Sequence, residues 1–129
     1  MEIVVPVDVE QVVYDTLSAR FQNVGATPQG DVGGSMVLPF VAYELTGGSR
    51  RNMVTDSLLV MIRCYGADRA DTSQLCREAY AVLLAEQYRP DGAVRSAKSV
   101  GGPVFYPDAQ SKTLRYQASV QWQLRPEIM

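Results

Sequence analysis

Asp68 and Asp71, three residues apart in "ADRADTSQL", are the first candidates for chemistry, because a pair of carboxylates can share general-acid and general-base work. Both stand where an apolar-periodic run begins. There a carboxylate caps orphaned amides and offsets the helix dipole, so helix initiation is the preferred reading. Asp56 lies in a strand-forming run, where Asp is disfavoured. It could serve as a base or pair with Arg50, Arg51 or Arg63, and the ion pair is preferred. Arg50 and Arg51 could hold phosphate, but a solvated turn or an ion pair between subunits suits them better. The glycines of "GGSRRN" and "SVGGPV" lack the spacing and the Lys-Ser/Thr of a phosphate-binding loop. The chain has no histidine, which removes the commonest general base and the commonest metal ligand together. Its two cysteines, Cys64 and Cys76, make no disulfide framework and read as small buried hydrophobes in a reducing compartment. No catalytic, cofactor or metal site emerges, and the chain reads as a non-enzyme.

The residues that do form a pattern lie in "KTLRYQASVQWQLRP", 112–126. Leu114, Tyr116, Ala118, Val120, Trp122 and Leu124 alternate with Thr113, Arg115, Gln117, Ser119, Gln121, Gln123 and Arg125. Strict alternation means a strand with one buried face. Its other face carries glutamine and arginine and no carboxylate. Trp122 and Tyr116 could offer a platform for stacking bases, but their aliphatic neighbours on that face favour a packed core. About 13 residues at roughly 3.3 Å each would cross the whole domain. Monomers keep such strands short or guarded, so this one suits a protein that assembles.

The elements that must position these residues follow from periodicity and punctuation. Residues 8–23 read as a helix with Asp8 as N-cap and Gln11 completing a capping box. "SMVLPFVAYELT" reads as a strand, edge or bulged because of Pro39. "GGSRRN" is expected to be the turn. "MVTDSLLVMIRCYGA" follows as a strand apolar on both sides at its centre, hence interior. Residues 71–89 read as the second helix, capped by Asp71 with Gln74 and ended by Pro90 and Gly92. Glu86 is placed at the rim of its apolar stripe. "AVRSAKSVGGPVFYPD" is a strand bent at Gly101-Gly102-Pro103. The expectation is an α+β fold of order α-β-β-α-β-β: a single domain over 1–129, with a mostly antiparallel four-stranded sheet packed against two helices.

Bulk properties agree. A chain of 129 residues, 47% hydrophobic and 20% charged, suits one soluble domain with a real core. A net charge of −2 argues against general affinity for nucleic acid or membranes. No apolar run approaches the roughly 20 residues of a membrane-spanning helix. "MEIVVPVDVE" lacks the basic start and apolar stretch of a signal peptide, so the chain is expected to stay in the compartment where it is made.

The order of turns and strands resembles the tail terminator, or tail completion, proteins of long-tailed bacteriophages, especially those of actinobacterial hosts. The pieces that match are Gly47-Gly48 followed by Arg51-Asn52, Val54 and Asp56, then an aliphatic strand ending in an aromatic, and an Ala-rich helix. After these come Gly102-Pro103, Pro107-Asp108, Arg115-Tyr116 and the terminal Leu124-Arg125. The likeness covers roughly residues 35 to 126, with the first helix fitting by position.

The resemblance implies a structural virion protein without catalysis or cofactor, made in the host cytoplasm and sited at the head–tail interface. It implies a homo-oligomeric ring, usually a hexamer, that caps the head-proximal end of the tail tube and stops its polymerisation. The ring's partners would be the tail tube protein and the head connector or a head completion protein, with genomic DNA passing through unbound and no membrane contact. On that reading the assembly interface draws on Gly47, Gly48, Arg50, Arg51, Asn52, Asp56, Arg115, Gln117, Gln121, Gln123 and Arg125. The glutamines would face a lumen or a seam, and Arg115 and Arg125 would pair with carboxylates across it. The alternatives are another head–tail joining protein, such as a head completion protein, or a small α+β enzyme or ligand-binding domain using Asp56 and an arginine.

Overall fold

The first helix, α1, spans Val9–Ser18. Asp8 caps it as expected: its carboxylate accepts the Gln11 amide N–H at 3.3 Å. The reciprocal half of the capping box does not form, because the Gln11 side chain donates to Asp15 Oδ1 at 2.8 Å instead. The helix also ends short of the expected 23. The Asn23 carbonyl accepts the Val41 N–H at 2.9 Å, and its side-chain amide donates to the Pro39 carbonyl at 3.0 Å. Tertiary pairing thus claims residues that local periodicity assigns to a helix.

This computed structural model describes residues 4–5, 8–26, 38–52, 55–107, 114–125 and 127–128, with backbone alone at 4–5, 47–52, 55–56 and 127–128. The strands are β1 (Val4–Val5), β2 (Val24–Ala26), β3 (Phe40–Asn52), β4 (Thr55–Gly66), β5 (Val94–Phe105), β6 (Leu114–Leu124) and β7 (Glu127–Ile128). The second helix, α2, is Arg69–Ala85, continued by a 3₁₀ turn over Glu86–Tyr88. Its N-cap is Asp68 rather than Asp71: Asp68 is extended, and its carboxylate accepts the Asp71 N–H at 3.1 Å. Asp71 then lies in the first turn, where its charge suits the dipole.

The fold is α+β. Its main sheet has five strands in the order β2-β3-β4-β6-β5 rather than the expected four. The additional strand, β2, joins β3 in parallel, and every other pair is antiparallel. Three residues with no alternating pattern, "VGA", leave no periodic signal to read. β1 and β7 form a separate two-stranded ladder. The strand at 35–46 begins later than expected: Pro39 precedes β3 instead of interrupting it. β3 lies against β2 only over Val41–Tyr43. Beyond Tyr43 it is the edge of the sheet among the described residues.

Both helices pack on one face. Val13 and Leu17 of α1 and Cys76, Ala79 and Leu83 of α2 join Val41, Val60, Ile62, Cys64, Val120, Trp122 and Leu124 in one buried cluster. Each such large apolar side chain contributes about 1.5–3 kcal/mol of burial. β4 is interior, flanked by β3 and β6, as its apolar centre led one to expect. β5 is bulged three times, between Val94 and Ser96, between Ser99 and Gly101 and between Gly101 and Val104. The Gly-Gly-Pro stretch therefore marks irregular pairing in an edge strand, as read from the sequence.

Candidate assembly interface

The face of the sheet opposite the helices is formed by alternate residues of the four long strands. The register aligns Glu44 with Met61, and Met61 with Ser119. The adjacent rows align Ala42, Arg63, Gln117 and Val104, and Thr46, Leu59, Gln121 and Lys98. Most of these side chains are half-buried by their neighbours alone. No described helix crosses this face. The polar wall of β6 is one strip of this four-stranded face, and at the end of the face Ala42 and Tyr65 are fully buried with Phe40 packed against them.

Its glutamines are held by their neighbours. Gln117 Oε1 accepts Arg63 Nε–H at 3.3 Å. Gln121 donates through Nε2 to Ser57 Oγ at 2.7 Å, which accounts for a buried serine in a sheet interior. Gln123 Oε1 accepts the Ser96 hydroxyl at 3.0 Å. Each glutamine therefore ties β6 to β4 or β5, and the surface is pre-ordered. A partner meeting it would lose little side-chain entropy, which is a cost that ordinarily opposes association.

At the centre of the face, Arg63 Nη1 lies 2.9 Å from Glu44 Oε2 in an ion pair. The sequence offers Arg63 as a partner of Asp56, but Asp56 is at the far end of the same strand. No sequence pattern singles out Glu44. Its link to Arg63 depends on the β3–β4 register, which pairs Ala42 with Arg63. That register does not follow from a turn placed at "GGSRRN".

β3 runs on through the expected turn to Asn52. Gly47, Gly48, Arg50, Arg51 and Asn52 belong to β3, so the expectation of a turn there is corrected. Ser49 pairs with Ser57, Arg50 with Asp56 and Asn52 with Thr55. The ladder shifts register between Thr46 and Ser49 and again between Arg50 and Asn52. The glycines mark a bulge, where an extra residue is absorbed at low steric cost. Arg50 and Asp56 are directly opposed in the ladder. The side chains of 47–56 lie outside the described residues, as do residues 53–54.

Arg115 and Arg125 sit on backbone carbonyls of their own chain. Arg115 Nε donates to the Tyr106 carbonyl at 2.9 Å, with its guanidinium 5.0 Å from the Tyr106 ring centre. Arg125 Nη1 donates to the Gly92 carbonyl at 3.4 Å. Trp122 is fully buried, so it is no stacking platform. Tyr116 packs 5.4 Å from Phe105, and its hydroxyl accepts Arg69 Nε–H at 3.2 Å.

Among the described residues no group of three or more His, Cys, Asp or Glu side chains could hold a metal ion. Asp68 and Asp71 are occupied in helix initiation. What the arrangement can do is present an internally cross-linked surface in which amides alternate with apolar side chains and charge is sparse. No protein-family model matches the chain, and no curated protein matches it significantly.

Proposed function

We propose that this chain is a tail terminator protein: a subunit of a ring, a hexamer on the resemblance, that caps the head-proximal end of a phage tail tube and receives the head connector. The observation that carries the reading is the sheet face that no described helix crosses. Both helices lie on one side, and the other side presents Gln117, Gln121 and Gln123 with Leu59 and Met61 in adjoining positions. Such a surface suits a subunit seam or the wall of a DNA passage. A passage should not grip phosphate, because each neutralised phosphate adds salt-dependent affinity. Neutral amides provide a wetted wall without a strong field. In this reading the outer edge of β3, with Arg50 and Arg51, meets the neighbouring subunit, and the donors of Arg115 and Arg125 that the Tyr106 and Gly92 carbonyls leave over reach carboxylates across the seam.

Sedimentation and electron microscopy of the purified protein mixed with its tail tubes test the proposal. The expected outcome is rings at one end of the tubes and no further tube growth. Tubes that lengthen regardless and carry no added density at their ends would overturn it.

A further inference from the structure

Exposed apolar side chains gather on β5, the outer strand of the main sheet. Among the described residues six large apolar side chains are exposed, and three of them, Val100, Val104 and Tyr106, lie on β5 or just past its end. Val100 is 57% and Val104 54% exposed. Between them stand Gly101 and Gly102. A Cβ at either would meet nothing within 4 Å, and neither has the left-handed backbone that favours glycine. Nothing within this chain therefore requires glycine there. A strand glycine gives up a side chain that could pack, and what it offers in return is close approach of another chain to the backbone.

The edge is poorly suited to an added strand. Pro103 has no N–H to donate, and three register shifts interrupt the ladder. It suits a packed side-chain face instead. From Val94 to Phe105 the strand carries Arg95 and Lys98, both exposed, and no carboxylate.

The outer face of α1 has the complementary chemistry. Glu10, Gln11, Tyr14, Asp15 and Ser18 are exposed at three- and four-residue steps, so they form one face. No basic residue occurs between Asp8 and Ala19. Tyr14, at the centre of the face, is 43% exposed. α1 packs against α2, β2 and β3, at the side of the molecule opposite β5, so the two surfaces cannot meet within one chain.

We propose that the outer edge of β5 receives the exposed face of α1 from a second copy of this chain, with the Tyr14 ring laid on Gly101 and Gly102 and Glu10 turned to Lys98. An aromatic ring covers edge glycines well. Charge selects this pairing: two β5 edges would set Arg95 and Lys98 against their own kind, and two α1 faces would set carboxylates against carboxylates. Each copy gives one surface and accepts on the other, which is the head-to-tail contact that closes into a ring. The inference deepens the ring reading and rests on it.

The test is sedimentation velocity of the full chain over a concentration series, alone and with tail tubes. Glu10→Lys and Lys98→Glu should each weaken association about tenfold, and the double variant should return to within about threefold of the parent, because the charges are exchanged rather than lost. Gly102→Val should also weaken association about tenfold, since its side chain meets nothing in its own chain but holds the neighbouring ring off. Lys98→Glu and Gly102→Val alter exposed positions of β5, so they remain decisive should Glu10→Lys unfold. A parent that stays monomeric under both conditions would overturn the ring reading and this contact together. A parent that assembles, with variants that assemble as tightly or a double variant no tighter than the single ones, would overturn this contact and leave the ring reading standing.

Discussion

The indole N–H of Trp122 on β6 donates to the main-chain carbonyl of Leu83 on α2, at 2.9 Å and fully buried. Leu83 lies in the last turn of the helix, where carbonyls have no partner within the helix. The next carbonyl, Leu84, is taken by Gln87 Nε2 at 3.0 Å. The same Gln87 side chain accepts the Ala97 N–H of β5 at 3.3 Å. The sheet therefore caps the helix, and the helix end covers part of the sheet's edge.

Trp122→Ala should cost about 3–5 kcal/mol through the cavity it opens. Trp122→Phe retains much of the ring volume but leaves the Leu83 carbonyl buried without a donor, at a cost of about 1–3 kcal/mol. Urea unfolding of both variants checks this. A Phe variant as stable as the parent would show that the hydrogen bond contributes nothing.

Gly66→Ala should be destabilising by about 1–3 kcal/mol, as overpacking of a tight contact usually is. A Cβ at Gly66 would collide with Thr72 Oγ1. That hydroxyl is buried and donates to the Asp68 carbonyl at 2.6 Å, so it is not free to move away. The midpoint of thermal unfolding reads the effect, and an unchanged midpoint would mean that the β4–α2 junction yields easily.

Cys64 and Cys76 are both buried. The side-chain contact with Cys76, followed by burial, pushes the Cys64 thiol well above its ordinary range. A raised thiol pKa stabilises the folded state fully below the unfolded-state value of about 8.5. As pH rises above that value the unfolded chain ionises first, and this contribution is lost progressively. Stability of the parent should therefore fall more steeply above pH about 8.5 than that of Cys64→Ala, once other titrations common to both are subtracted. Parallel curves would refute the assignment. The thiols should also resist a disulfide reagent until the protein unfolds.

The double replacement Gln117→Glu with Gln121→Glu should leave the monomer folded, at a cost of about 1 kcal/mol per part-buried hydrogen bond altered. A carboxylate at position 117 would retain Arg63 as a neighbour, and one at position 121 could accept from the Ser57 hydroxyl. The added charge should nevertheless weaken ring formation if these residues lie in a seam. Sedimentation of the double variant decides: unchanged assembly would exclude the seam. An assembled ring with this face outward would exclude both seam and lumen.

The α+β class, the two helices, the four long strands and the buried face of β6 were legible in the sequence. They rest on periodicity and on local stops, which operate within a few residues. Asp8 as a cap, the irregular pairing at Gly101–Pro103 and the burial of Trp122 followed from the same signals. The glutamine face was legible as a pattern, though not the partners that hold it. The position of the β3–β4 turn, the parallel strand β2, the Glu44–Arg63 pair and the two-sided role of Gln87 were decided by tertiary structure. Each depends on which segments meet and in what register, which no local periodicity states. A bulge of one or two residues resets a register, and a short strand forms only because a neighbouring edge accepts it. Glu86 illustrates the same limit. Helical spacing placed it at the rim of a stripe, while the meeting of two helix ends enclosed it.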